Sequence, residues 1–146
     1  MKIYTAASFC EQQRIRTHKE TLIQMGHVIV ASWLEEAVRP EGINEEQFER
    51  KMAAKDLQEV ASADCMILDV EKPTKTAGKM VEFGFALAKH KLIYVVGEPP
   101  AHAIFLSLAD EQFDTWDALF AYFRENHKTA KVFTDQLTSN YLIETK

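Results

Sequence analysis

The chain has 146 residues, 47% of them hydrophobic and 27% charged, with a formal net charge of −5, the size and balance of one globular domain with room for a core. That charge argues against a partner that is a nucleic-acid polymer, whose binder would carry a basic surface, and no apolar run approaches the ~20 residues that would cross a membrane. Two cysteines, Cys10 and Cys65, make no disulfide framework and no secretory leader is evident, so a reduced, cytoplasmic home is expected.

Lys2 to Ala6 reads as a short strand. Phe9 to Met25 places Ile15, Leu22 and Ile23 on one helical face, and Gly26 stops that helix. His27 to Ser32 is the second strand. Trp33 to Ile43, with Pro40 and Gly42, is a loop with room for a helical turn over Trp33 to Val38. Asn44 caps a helix running to about Ser62, its apolar face made of Phe48, Met52, Leu57, Val60 and Ala61. Asp64 to Val70 is the third strand and Gly78 to His90 the next helix. Leu92 to Val96 is the fourth strand, ended by Gly97 to Pro100. Ala101 to Leu108 is short and ambiguous. Gln112 to Asp114 is a weak fifth strand, after which Asp114 or Thr115 caps a helix to about Asn126. The polar tail, 128–146, offers Val132, Phe133, Leu137, Tyr141, Leu142 and Ile143 as anchors on the core or on an interface.

Strands this apolar, separated by helices, require a parallel sheet covered on both faces. Right-handed crossovers leave few topologies. The expected fold is α/β, a flavodoxin-like three-layer sandwich over residues 1–146, with a five-stranded parallel sheet in the order 2-1-3-4-5. Its switch point lies between the first and third strands, where open α/β sheets bind ligands. Ala7-Ser8-Phe9 lines one side of that crevice and the Thr74 to Glu82 segment the other.

The segment Thr76-Ala77-Gly78-Lys79-Met80-Val81-Glu82-Phe83-Gly84 follows the third strand and opens a helix. Free backbone N–H groups at a helix start attract negative charge, so Glu82 is expected to be held ionised. Gly78 and Gly84 would admit a close approach to the backbone. The plain alternative is a glutamate that merely stabilises its own helix.

Several of these pieces resemble the nucleoside 2-deoxyribosyltransferase family, which includes the related 2′-deoxynucleoside 5′-phosphate N-hydrolases. Lys2-Ile3-Tyr4-Thr5-Ala6-Ala7-Ser8-Phe9 is similar to its first strand and loop. Lys55-Asp56-Leu57 with Ala63-Asp64 resembles its acidic helix before the third strand. Gly78-x-x-x-Glu82-x-Gly84-x-Ala86 matches the loop and helix that hold its nucleophile. Gly97, Ile104-Phe105 and Phe113-Asp114-Thr115-Trp116 resemble the ending of short members.

The resemblance implies an enzyme that cleaves the N-glycosidic bond of a 2′-deoxynucleoside through a covalent 2-deoxyribosyl ester on Glu82. A free nucleobase then accepts the sugar, or water does if the substrate is a 5′-monophosphate and the enzyme an N-glycosidase. Two inversions give net retention. Asp56 is the second carboxylate, for proton transfer or the sugar hydroxyls, and Tyr4 would hydrogen-bond and orient Glu82. Ser8, Phe9, Asp69, Thr76, Gly78 and Gly84 are the candidate substrate contacts. Each has a plainer reading: Asp56 as a solvated charge, Tyr4 as a packed ring, Ser8 as a helix cap, Asp69 as a turn acceptor. No cofactor or metal is implied. The resemblance also implies a homodimer or larger homo-oligomer, with the His102 to Ser107 segment and Tyr141 in a shared wall.

One departure bears on the substrate. Transferases carry an acid six positions before the nucleophile, where this chain has Thr76. Thr74 and Thr76, with Lys75 or Lys79, tilt towards a phosphorylated substrate or hydrolysis. The first loop, Ala7-Ser8-Phe9-Cys10, lacks the Gly- and Arg-rich character of the hydrolases and tilts back. Other chemistries find less support. The five histidines lack metal spacing, and there is no G-x-S-x-G, P-loop or G-x-G-x-x-G. Cys10 sits at a helix start without a resolving cysteine or partner histidine. Phe9 and Trp33 offer a wall for a base. A non-catalytic nucleotide-binding module is the alternative of another class, and an FMN binder a third, disfavoured by a first loop poor in phosphate-cradling residues.

Overall fold

The computed structural model describes residues 1–36, 41–73 and 77–126, so the tail and its expected anchors lie outside the described residues. Five strands, β1 (Lys2–Ala6), β2 (Val28–Ile29), β3 (Cys65–Asp69), β4 (Leu92–Val96) and β5 (Glu111–Phe113), form one sheet. All pairs are parallel and the order is β2-β1-β3-β4-β5, as the alternation of elements requires. The helices are α1 (Gln12–Gln24), α2 (Glu45–Ser62), α3 (Gly78–Ala88) and α4 (116–126). β3 is buried along its whole length, which is why it reads as an unbroken apolar run. α1 meets α4 through the stacked rings of His18 and Trp116, 4.4 Å apart, while α2 packs beside α3.

Local chemistry explains most boundaries. Asn44 caps α2, its Oδ1 accepting from the Gln47 N–H at 3.1 Å, and Glu45 and Glu46 follow in the first turn. Gly26, at φ +89°, ends α1 in the left-handed region. Three expectations change. The first helix begins as a 3₁₀ turn over Phe9–Glu11, with Glu11 N–H donating to Ser8 O, because no side chain caps its free N–H groups. The second strand shrinks to two residues at the sheet edge, then turns into a 3₁₀ segment, Ser32–Glu35, anchored by Trp33 Nε1 donating to Thr5 O at 2.8 Å. The β4–β5 crossover carries only a 3₁₀ turn, Ile104–Leu108, which leaves Ile104, Phe105 and Leu108 exposed.

One glycine positions the site. Gly97, at φ +101°, ends β4, and a Cβ there would stand 2.6 Å from the backbone nitrogen of Glu71. The strand end and the first residues after β3 can pack this closely only without a side chain.

Candidate functional site

Parallel strands end together, so the loops after β1 and β3 meet at one edge. Tyr4, fully buried in β1, points to the α2–α3 side, and its hydroxyl donates to Glu82 Oε1 at 3.0 Å. Burial, then the charges of Glu82 and Asp56, drive the phenol pKa well above its usual value, so the hydroxyl remains a donor. This is the hydrogen bond expected of Tyr4.

Glu82 departs from expectation. It is the fifth residue of α3, beyond the free N–H groups of the first turn, which contains no acid. Burial, then the nearby Asp56, push its pKa up to about 7, against the Tyr4 hydrogen bond, which favours the charged form. The helix start therefore does not hold it ionised. Asp56, on α2, is raised to about 6 by burial, then by Glu36 and Glu59, with Lys55 and Tyr4 pulling the other way. Its Oδ1 is buried without a partner among the described residues. The arrangement is two electrostatically interacting acids with raised pKa values beside one tyrosine, suited to nucleophilic and proton-transfer work.

The other predicted residues divide. Ser8 is 8% exposed, and its Oγ neither caps the helix nor finds another partner among the described residues, so the cap reading fails and the hydroxyl stays available. Phe9 is 58% exposed, its ring 6.3 Å from that of Trp33. Trp33 itself is buried, so the expected wall presents one face, that of Phe9. Asp69 must be corrected. Its Oδ1 accepts from Arg14 Nη2 at 2.9 Å and Glu71 N–H at 3.1 Å. Its Oδ2 accepts from Arg14 Nη1 at 2.9 Å and Trp116 Nε1 at 2.7 Å. Four donors fill the carboxylate, which leaves no lone pair for a substrate. Gly84 is also corrected: two residues beyond Glu82, it lies on the exposed, opposite side of α3. Gly78 opens α3 at the surface with open space around it. Thr76 lies outside the described residues.

The sequence reading missed several neighbours. Glu59 is one turn beyond Asp56 on α2, and its Oε2 accepts from Ser32 N–H at 3.0 Å. That i, i+3 spacing was the available signal. Glu36 and Gln12 gave none. Gln12 Nε2 reaches across to Trp33 O at 2.6 Å and Glu36 O at 2.9 Å, pinning the turn that borders the crevice. Among the described residues no group of three His, Cys, Asp or Glu side chains is arranged to hold a metal ion.

The sequence model of the nucleoside 2-deoxyribosyltransferase family matches residues 3–132, spanning every strand and both sides of the crevice. The chain belongs to this family. Its membership places it in the nucleoside deoxyribosyltransferase class of enzymes, which act on small-molecule substrates. No curated protein matches the chain in sequence. Solved structures share the fold at low identity. A 2-deoxyribosyltransferase from the psychrotolerant Bacillus psychrosaccharolyticus is 16% identical, with a TM-score of 0.69 over 82% of this chain and 90% of that one. A conserved protein from Enterococcus faecalis V583 is 15% identical, with a TM-score of 0.69 over 86% and 98%. A Clostridium botulinum CMP N-glycosidase is 15% identical, with a TM-score of 0.55 over 85% and 98%. No helix among the described residues is long and apolar enough to cross a membrane.

Proposed function

We propose that this family member transfers 2-deoxyribose between nucleobases, with Glu82 as nucleophile. The observation that carries the reading is the part-buried Tyr4–Glu82 hydrogen bond beside Asp56. Ionised Glu82 attacks the anomeric carbon, forming a carbon–oxygen ester bond as the glycosidic carbon–nitrogen bond breaks. The electron pair leaves with the base, which takes up a proton. Tyr4 occupies Oε1 and leaves Oε2 to attack. Asp56, with its pKa near 6, is suited to deliver that proton or to hold the sugar hydroxyls. A second base then attacks the ester and regenerates Glu82, and the two inversions retain configuration.

The commitments of three described cations support an unphosphorylated nucleoside over a 5′-monophosphate. Among the described residues, Arg14 is taken by Asp69, Glu11 and Glu71, Lys55 by Glu36, and Lys79 by two backbone carbonyls. Each is committed before a phosphate arrives. Chromatographic assay of each deoxynucleoside and deoxynucleotide, with and without a free base, tests this. Exchange that requires the base and disappears in Glu82→Ala supports the transferase. Base release from monophosphates without an acceptor moves the chain to the N-glycosidases, and binding without turnover makes it a sensing module.

A homodimer or larger assembly goes with this reading. Ile104, Phe105 and Leu108 are 70%, 64% and 60% exposed within one 3₁₀ turn, in the segment expected to form a shared wall. Light scattering that finds only a fully active monomer would remove it. The free cysteines, Cys10 exposed and Cys65 buried, suit a reducing cytoplasm.

A further inference from the structure

Lys79 is a buried charge that the chemistry above does not use. It is the second residue of α3 and only 7% exposed. Among the described residues it makes no ion pair. Its Nζ instead donates to Asp69 O at 3.0 Å and Lys72 O at 3.3 Å. Burying an ammonium costs several kcal/mol, roughly, unless its donors are satisfied, so a position that retains one needs a reason. An apolar side chain would strip both carbonyls of a donor.

The partners give the reason. Asp69 is the last residue of β3, Lys72 lies three residues on, and Lys79 is in the first turn of α3. One ammonium therefore joins the strand end, the start of the loop and the helix that follows it. The anchor is itself immobilised, because the Asp69 carboxylate is held by Arg14 from α1 and Trp116 from α4. Glu82 stands one turn beyond Lys79 on the same inward face of α3. A shift of the first turn would move Glu82 relative to the Tyr4 hydroxyl, which rides on β1.

We propose that Lys79 is a positioning residue: by tying the first turn of α3 to the carbonyls of Asp69 and Lys72, it holds Glu82 in register with Tyr4. The proposal rests on the reading of Glu82 as the nucleophile, and it assigns Lys79 a role other than binding phosphate. Misplacing a reacting group by about 1 Å costs on the order of 10²-fold in rate, so a lost tie is visible in turnover.

The test compares Lys79→Met and Trp116→Phe with the wild type, by kinetics and by carbon-13 NMR titration of the Glu82 carboxyl. Lys79→Met is expected to lower kcat by about tenfold or more with KM within about threefold. Displacement also gives up the Tyr4 hydrogen bond, which alone would raise the pKa, but burial and then Asp56 are the larger causes, so the Glu82 titration should fall from about 7 towards the usual carboxylate range. Loss of a nearby positive charge alone would move it upwards, so the sign separates position from charge. Trp116→Phe removes one of the four donors to the Asp69 carboxylate but leaves Arg14 and the Lys79 tie in place, and should lower Tm with a far smaller effect on either readout. If Lys79→Met does not fold, Lys79→Gln, with neutral donors, is expected to give a smaller loss in the same direction. Unchanged kcat with an unmoved or raised titration overturns the proposal, as does an equal effect from Trp116→Phe. If the wild type turns over no nucleoside, the functional reading falls, while the titration still decides whether Lys79 places Glu82.

Discussion

Asp69 and the Asp56–Glu82 pair lie at the same end of one sheet and were treated in opposite ways. On the α1–α4 side, Asp69 receives four donors, two of them from Arg14, and is buried to 2% exposure as a filled acceptor. On the α2–α3 side, Glu82 has Tyr4 as donor and Asp56 beside it, and Asp56 has an oxygen without a partner among the described residues. The first carboxylate is structural because every lone pair is filled. The second pair carries raised pKa values, about 6 and about 7, because burial and like charge are not offset by donors. Burial alone does not mark a reactive acid; the balance of donors against acids does.

That contrast can be broken at several points. Glu82→Gln should lower turnover by about 10⁴-fold or more, since it removes the proposed nucleophile, while substrate binding persists. The folded protein should survive it well. Glu82 and Asp56 have folded pKa values above their unfolded ones, so the native state holds extra protons and its stability falls as pH rises from about 4 through 7. Because His18, held below its ordinary value mainly by burial, pulls the wild-type curve the other way, the test is a difference: Glu82→Gln should gain Tm relative to the wild type as pH rises through that range. A Tm difference that does not change with pH would contradict the raised value of Glu82.

Arg14→Met attacks the other side. It strands a buried carboxylate and should cost about 3 kcal/mol, read by denaturant unfolding, with far less effect on the pH dependence of turnover. Tyr4→Phe should lower kcat roughly 10- to 100-fold and move the ionisation of Glu82 upwards, because a hydrogen bond to the charged form is lost. An acid limb that stays in place would show that Tyr4 only packs. Trp116→Phe is the mildest change, about 1.5–3 kcal/mol of stability for one hydrogen bond to a charged acceptor.

The fold was legible because its signals are periodic and local. The apolar runs of β1, β3 and β4, the Asn44 cap and the Gly26 stop all act within a few residues. The short elements were less so: β2 ends early because it is an edge strand, and the Ile104–Leu108 turn has too little sequence to distinguish it from a helix. The partnership of Tyr4 with Glu82, 78 residues apart, came from family resemblance and not from pattern. No local signal joins Gln12 to Glu36, or Arg14 to Asp69 across 55 residues.

By itself the sequence determined the parallel α/β sheet and narrowed its strand order to a few topologies, which placed the crevice between β1 and β3, since hydrophobic period and crossover handedness leave little freedom. Only the tertiary structure decided which acids there are charged, filled or left reactive. That depends on partners supplied by distant elements: Arg14 and Trp116 donate to Asp69, Tyr4 donates to Glu82, and two backbone carbonyls accept from the Lys79 ammonium. None of those distances exists until the chain is packed.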